Sequence, residues 1–182
     1  NNKQKKAVNI FKPYKTFYLD NNVRVSALGD LDFELGDELR AFKKGNINNT
    51  PIIFESFFNC YKYLNTNFDL LLYVPSNKNN NVMDFFADTI SKTLNIKKSD
   101  DIILNKNIKE QKTLETLKER EDNIKNAFTI KNIENLKNKK LLIIDDVYAS
   151  GATLKELIKL LKEYNLNSSI EIIVFCYRNY YS

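Results

Sequence analysis

The chain has 182 residues with a formal net charge of +5, and 43% of them are hydrophobic, which is typical of one globular domain. It contains no histidine, which excludes histidine-based catalytic triads, histidine general bases and most zinc sites. No apolar run is long enough to cross a bilayer, so no membrane partner is expected. The mild positive charge permits a nucleic-acid partner, but the scattered lysines form no motif that indicates one.

The first third of the chain predicts a hairpin and two helices. Residues 15–28 carry apolar runs on either side of an Asp-Asn-Asn turn, and residues 34–45 predict a short helix closed by its final glycine. A second helix is expected to start at Pro51, with Thr50 as its cap. Its apolar face is predicted to contain Ile53, Phe57, Tyr61 and Leu64.

From Asp69 onward the pattern becomes an alternation of strands and helices. This alternation predicts a three-layer α/β fold with a mostly parallel sheet. Residues 106–118 are polar and are expected to form a mobile loop that runs into an exposed helix. The hairpin and the short helix do not fit the alternation, so we expect a cap over residues 1–50 and an α/β core over residues 51–182. The predicted strands are 69–75, 101–105, 126–132, 140–147 and 169–178, and the main helices are 82–95 and the segment after Gly151.

The two cysteines of the chain lie far apart in the sequence. Cys176 falls within an apolar strand pattern, and Cys60 within a helix. Two buried free thiols are therefore expected rather than a disulfide or a metal site. Such thiols fit a reducing cytoplasm, which is the expected location.

The segment "LLIIDDVYASGAT" combines a buried strand, two acids and a small-residue turn before an amphipathic helix. In open α/β sheets, ligands bind beyond the carboxyl ends of the strands, where Asp145 and Asp146 are expected to lie. Small residues and a helix N-terminus suit a phosphate, and carboxylates suit sugar hydroxyls or waters on a magnesium ion. A phosphorylated sugar matches this combination. The alternative is a solvated turn whose Ser150 is a plain helix cap.

The same segment resembles the phosphoribosyl-pyrophosphate-binding signature of type I phosphoribosyltransferases, with Tyr148 in place of the usual aliphatic residue. The preceding segment "LKEREDNIKNAFTIKN" is similar to the ComF-like branch of that family. Its matching positions are Arg120, Asn123, Ala127 and Phe128, and the resemblance covers roughly Asp69 to Arg178.

The resemblance implies that phosphoribosyl pyrophosphate binds with Mg²⁺ and that a nitrogenous base displaces the pyrophosphate. It implies that Asp145 and Asp146, the catalytic candidates, hold the ribose hydroxyls. Mg²⁺ would come with the ligand, with either aspartate as a candidate contact. Residues 106–118 would close over the ligand, and the cap from Phe17 to Lys44 would contact the acceptor. Arg120 and Asn123 would either anchor the closing segment or meet the pyrophosphate. The candidate substrate-binding residues are Tyr148, Ala149, Ser150, Gly151, Ala152, Thr153, Pro75, Ser76, Arg120 and Asn123.

Three classes of function remain open at this point. The first is a phosphoribosyltransferase acting on phosphoribosyl pyrophosphate or a nucleoside monophosphate. The second is a non-catalytic ComF-like accessory module for ligand sensing or DNA uptake on the same fold. The third is a phosphoacceptor receiver domain, which is disfavoured because its paired acids follow the first strand. No pattern identifies the acceptor base, and a homodimer is left open.

Overall fold

A six-stranded sheet organises the chain in the computed structural model, which describes residues 12–46, 50–75, 82–105, 109 and 116–178. The described strands are Lys15–Leu19 (β1), Val23–Asp30 (β2), Leu70–Tyr73 (β3), Lys97–Ser99 (β4), Ile102–Leu104 (β5), Phe128–Ile130 (β6), Lys140–Tyr148 (β7) and Ser169–Tyr177 (β8). The described helices are Glu34–Lys43 (α1), Pro51–Leu64 (α2), Val82–Leu94 (α3), Leu117–Ile124 (α4), Ile133–Leu136 (α5) and Ala152–Glu163 (α6).

The six-stranded sheet has the order β1-β2-β8-β7-β3-β4 and is mostly parallel. Strands β2 and β8 pair in parallel, as do β3 and β4, whereas the β1–β2 hairpin is antiparallel. Next to β7, the Ser169 N–H donates to the Lys139 carbonyl at 3.1 Å and the Arg178 N–H donates to the Tyr148 carbonyl at 2.8 Å. These two bonds at opposite ends show that β7 and β8 also run in parallel. The structure thus confirms the predicted α/β fold with its mostly parallel central sheet.

The hairpin of β1 and β2 belongs to this sheet through the parallel pairing of β2 with β8. The sequence pattern did not reveal that pairing, because both strands are buried and any apolar neighbour satisfies the same pattern. Strand β4 was also missed, since its sequence "KKS" is polar. The predicted strand at residues 101–105 forms as β5, but it pairs antiparallel with β6 in a separate two-stranded sheet.

The chain divides into two compact units, which are described separately. The first contains the described residues within 1–67, 144–149 and 171–182, and the second contains those within 68–143 and 150–170. In the first unit, α1 and α2 contact each other and both contact β2. In the second unit, α3 packs on β3 and β4, while α6 contacts α4 and β6. The predicted division into a cap over residues 1–50 and a core over residues 51–182 stays a prediction.

The N-terminus of α2 is capped by a residue that the sequence did not indicate. Pro51 is the first helical residue, as predicted, but the Thr50 side chain makes no capping hydrogen bond. Instead, the Glu38 carboxylate of α1 accepts from the N–H groups of Ile52 at 3.2 Å and Ile53 at 2.7 Å. A carboxylate at this position satisfies two N–H groups that lack partners within the helix and complements the helix dipole.

The buried face of α2 also differs by one residue from the prediction. Ile53, Phe57 and Leu64 are buried as expected, but Cys60 is 1% exposed and takes the place predicted for Tyr61, which is half-buried. Both cysteines are buried free thiols, as predicted. Within the described part of the chain, no helix is both long and apolar enough to span a membrane.

Candidate functional site

Asp145 and Asp146 lie inside β7 rather than beyond its end, because the strand continues to Tyr148. Successive side chains of a strand point to opposite faces, so the two carboxylates diverge at the backbone. Both are buried, with 5% exposure for Asp145 and 8% for Asp146. The Asp146 N–H donates to Asp145 Oδ1 at 2.8 Å, and the Val147 N–H donates to Asp146 Oδ1 at 2.7 Å. Both carboxylates are thus buried, and backbone N–H groups satisfy part of their hydrogen-bonding capacity.

A lysine from α1 forms an ion pair with Asp146. Lys43 is the last residue of α1, and its Nζ donates to Asp146 Oδ2 at 2.5 Å. The two side chains come from positions 103 residues apart, and both belong to the first unit. Sequence reasoning missed Lys43, since a lysine in the last turn of a helix is ordinarily explained by the helix dipole and solvent.

The two carboxylates have different electrostatic environments. Burial raises the pKa of Asp145 well above its usual range, and the neighbouring Asp146 charge raises it further. Asp146, in contrast, has an ammonium group directly on its carboxylate. Burial therefore disfavours the charged form of Asp145, while the carboxylate of Asp146 is paired with a cation.

The thiol of Cys176 lies near Asp146 and Lys43 but is unreactive. Burial raises the pKa of Cys176 to about 12, and the charge of Asp146 acts in the same direction. A thiol with so high a pKa carries almost no thiolate at neutral pH, which is the nucleophilic form. Cys176 is thus part of the packing and not a nucleophile.

The predicted anion turn begins helix α6. Gly151 is the N-cap residue, with φ 79° and ψ 0°, a left-handed conformation that side chains with a Cβ adopt only at a cost. The Ser150 Oγ accepts from the Ala152 N–H at 3.3 Å, so Ser150 turns the chain into the helix without being the N-cap residue itself. The first N–H groups of a helix of this length are unused by the helix and favour an anion.

Tyr148 belongs to an aromatic cluster in the first unit. Its ring lies 4.8 Å from that of Phe17, edge on, and 5.8 Å from that of Tyr177, nearly parallel. The Lys15 ammonium lies 4.1 Å from the Tyr177 ring centre. Burial raises the pKa of Tyr148, and the neighbouring Tyr177 adds to that rise. Tyr148, which replaces the usual aliphatic residue, therefore packs against the N-terminal hairpin.

The other sequence-predicted site residues lie in the second unit. Asn123 of α4 holds the backbone of Lys109 from both sides: the Lys109 N–H donates to Asn123 Oδ1 at 3.0 Å, and Asn123 Nδ2 donates to the Lys109 carbonyl at 2.9 Å. Arg120 is exposed on the same helix, and Pro75 follows β3. Ser76 lies outside the described residues, as does most of the predicted closing segment 106–118.

A magnesium ion held by the protein itself would need several oxygen ligands close together. Among the described residues, no three or more acidic, cysteine or histidine side chains group together in a way that would hold a metal ion. Asp146 already has an ammonium group on one oxygen and a backbone N–H on the other. The described residues therefore do not form a protein-built magnesium site.

Comparison with protein families gives one match. Residues 85–181, just over half of the chain, match the family model of the phosphoribosyl transferase domain. The matched part contains the acid pair, the Gly151 turn and α4, while Lys43 and Phe17 lie before it. A comparison with curated proteins found no match.

Proposed function

The chain belongs to the phosphoribosyl transferase domain family, and from this membership we infer that it binds phosphoribosyl pyrophosphate and transfers its phosphoribosyl group to a nitrogenous base. One observation carries the proposal. A pair of buried carboxylates, Asp145 and Asp146, is followed within five residues by a helix N-terminus that starts from a left-handed glycine. Carboxylates accept hydrogen bonds from sugar hydroxyls, and a helix N-terminus holds a phosphate.

The proposed roles follow the order of the residues along the chain. Asp145 and Asp146 hold the two ribose hydroxyls, and the turn from Tyr148 to Thr153 holds the 5′-phosphate. The turn from Val74 to Asn77, of which the structure describes Val74 and Pro75, contacts the pyrophosphate. A base nitrogen attacks the anomeric carbon, the bond from that carbon to the pyrophosphate oxygen breaks, and pyrophosphate leaves with the electron pair. Because positive charge develops on the sugar ring, the protein contributes mainly positioning and nearby negative charge.

Mg²⁺ enters this proposal through the ligand. When bound with phosphoribosyl pyrophosphate, Mg²⁺ neutralises charge on the phosphate oxygens. The described residues offer no protein-built site for it. This chain's own part is to hold the sugar and the 5′-phosphate.

For Asn123, the geometry supports an anchoring role. Its amide makes two hydrogen bonds to the Lys109 backbone, at 3.0 and 2.9 Å, which use its acceptor and one donor. At the start of the same helix, Thr116 and Glu119 form a reciprocal capping box. We therefore propose that Asn123 fixes the backbone at Lys109, rather than contacting the pyrophosphate.

A second candidate is a non-catalytic ComF-like module on the same fold. What supports it is that the segment from Arg120 to Phe128 resembles the ComF-like branch; in this segment, Ala127 is 0% and Phe128 5% exposed. The residues that match the ComF-like branch thus include core positions, which a protein retains whether or not it keeps catalysis. On either proposal, the two buried free thiols fit a reducing cytoplasm. A homodimer also remains a prediction.

A binding titration and an activity assay separate these proposals. Calorimetry with phosphoribosyl pyrophosphate and MgCl₂ is expected to show binding, and a protein that binds neither this ligand nor ribose 5-phosphate would contradict both candidates. Pyrophosphate release is then measured with a panel of purine and pyrimidine bases, using protein without base as the control. Release that depends on one base supports the transferase, while binding without release for any base favours the module.

A further inference from the structure

Both oxygens of the Asp146 carboxylate already accept hydrogen bonds. Oδ1 accepts from the Val147 N–H at 2.7 Å, and Oδ2 accepts from Lys43 Nζ at 2.5 Å. The Asp146 side chain is 11% exposed, while that of Lys43 is 33% exposed. The ion pair is therefore sheltered at its acidic end and open to solvent at its basic end.

The other charged groups around this pair do not replace Lys43. Asp145 adjoins Asp146 but is itself an acid, so it brings no cation to the pair. Arg40, one turn earlier on α1, donates to Asp37 at 2.6 Å and to the Leu31 carbonyl at 2.8 Å. Asp30 accepts from the Tyr14 hydroxyl and from the Asp32 N–H. In the described part of the chain, Lys43 is the cation that contacts the acid pair.

Displacing Lys43 would be costly for a ligand that brings only hydroxyl groups. A sheltered carboxylate that loses its cation keeps a charge which a neutral hydroxyl does not compensate. Each carboxylate oxygen has two lone pairs, so Asp146 can accept a hydroxyl while Lys43 stays in place. A magnesium ion on Asp146 would instead lie beside the ammonium group and be repelled by it.

We propose, on the basis of the proposed function, that Lys43 is a positioning residue that stays on Asp146 when the ligand binds. Lys43 fixes the carboxylate so that it accepts a ribose hydroxyl, and it keeps metal ions off that oxygen. The acid pair is therefore a site for a sugar diol and not for a metal. Lys43 acts through Asp146 and does not touch the reacting atoms.

The test compares Lys43→Met with Lys43→Arg and with Lys44→Met, which removes an exposed charge next to Lys43 at the same end of α1. The probe is ribose 5-phosphate without metal, measured by calorimetry. Because Lys43→Met no longer fixes the orientation of the Asp146 carboxylate, a fall of roughly 10-fold or more in affinity is expected. Lys43→Arg is expected to recover part of that loss, and Lys44→Met is expected to bind as the wild type does.

Inorganic phosphate is the second probe, because it fits the helix N-terminus but carries no diol. The proposal predicts that Lys43→Met loses much more affinity for ribose 5-phosphate than for phosphate. An equal loss for both probes would indicate a general charge or folding effect and would overturn the proposal. Melting curves of each variant provide the check on folding.

Two other outcomes also decide the question. Tighter binding of ribose 5-phosphate by Lys43→Met would show that Lys43 competes with the ligand, and unchanged binding would show that it is irrelevant. Either result overturns the Lys43 proposal alone, since the wild type still binds. A wild-type protein that binds neither ribose 5-phosphate nor phosphoribosyl pyrophosphate contradicts the proposed function itself, and the Lys43 proposal falls with it.

Discussion

The two adjacent aspartates are predicted to respond in opposite ways to the same substitution. Asp146→Asn removes the charge that pairs with Lys43, whereas Asp145→Asn removes a carboxyl that burial already disfavours in its charged form. A hydrogen bond to a charged group contributes about 1.5–3 kcal/mol. Because Lys43 is 33% exposed, we expect a value in the lower half of that range. At about 2 kcal/mol, and about 2–4 °C per kcal/mol for a chain of this size, Asp146→Asn should lower the melting temperature by about 4–8 °C.

Asp145→Asn is expected to leave the melting temperature at neutral pH unchanged or slightly higher. A raised pKa means that the folded state keeps the proton of Asp145 to a higher pH than the unfolded state does. Stability therefore falls as pH rises from the ordinary value of about 4 through the raised pKa. The asparagine variant lacks this loss, so its melting temperature relative to the wild type should rise with pH across that interval.

The assay is thermal unfolding followed by circular dichroism at several pH values. Asp32→Asn, an exposed carboxylate in the first unit, serves as the control and should change little. An equal fall in melting temperature for Asp145→Asn and Asp146→Asn, or a larger fall for Asp145→Asn, would refute this prediction. Lys43 would then not be a partner of Asp146 only.

Three further substitutions test other parts of the structure. A Cβ at position 36 would lie 1.8 Å from the Leu31 carbonyl oxygen, so Gly36→Ala should destabilise by about 1–3 kcal/mol, seen as a lower midpoint in urea; an unchanged midpoint would contradict the close approach. Glu38→Ala removes the acceptor at the start of α2 and should cost about 1–2 kcal/mol, while Glu34→Ala on the exposed first turn of α1 should cost much less; equal costs would argue against the cap. Gly151→Ala places a Cβ at φ 79° and should destabilise the fold by about 1–2 kcal/mol, as measured by melting. It should also weaken phosphate binding, as measured by calorimetry. Unchanged phosphate binding would place the anion elsewhere.

Local patterns in the sequence predicted those strands, helices and turns that form from neighbouring residues. The apolar run from Leu141 to Ile144 gave β7, and the spacing of the apolar residues in α6 gave a helix whose predicted face is buried. The Asp-Asn-Asn turn gave the hairpin, in which Asp20 and Asn21 adopt positive φ. These features are local because hydrophobic period and turn composition act over a few residues.

Contacts that a charged side chain makes with a distant part of the chain could not be predicted in the same way. Lys43 and Asp146 are 103 residues apart, and Glu38 and Ile53 are 15 residues apart on different helices. Strand β4 was missed because its lysines look exposed in sequence. In the structure the Lys98 ammonium lies 2.7 Å from Asp84 and is 19% exposed. A charged side chain reveals its partner only when the fold brings the two together.

The most direct test of the account is a crystal structure with phosphoribosyl pyrophosphate and Mg²⁺. We predict the 5′-phosphate on the backbone amides from Ser150 to Thr153, the ribose hydroxyls on Asp145 and Asp146, and Lys43 still within hydrogen-bond distance of Asp146. A 5′-phosphate bound away from that helix N-terminus, or a magnesium ion on Asp146 with Lys43 displaced, would contradict the account.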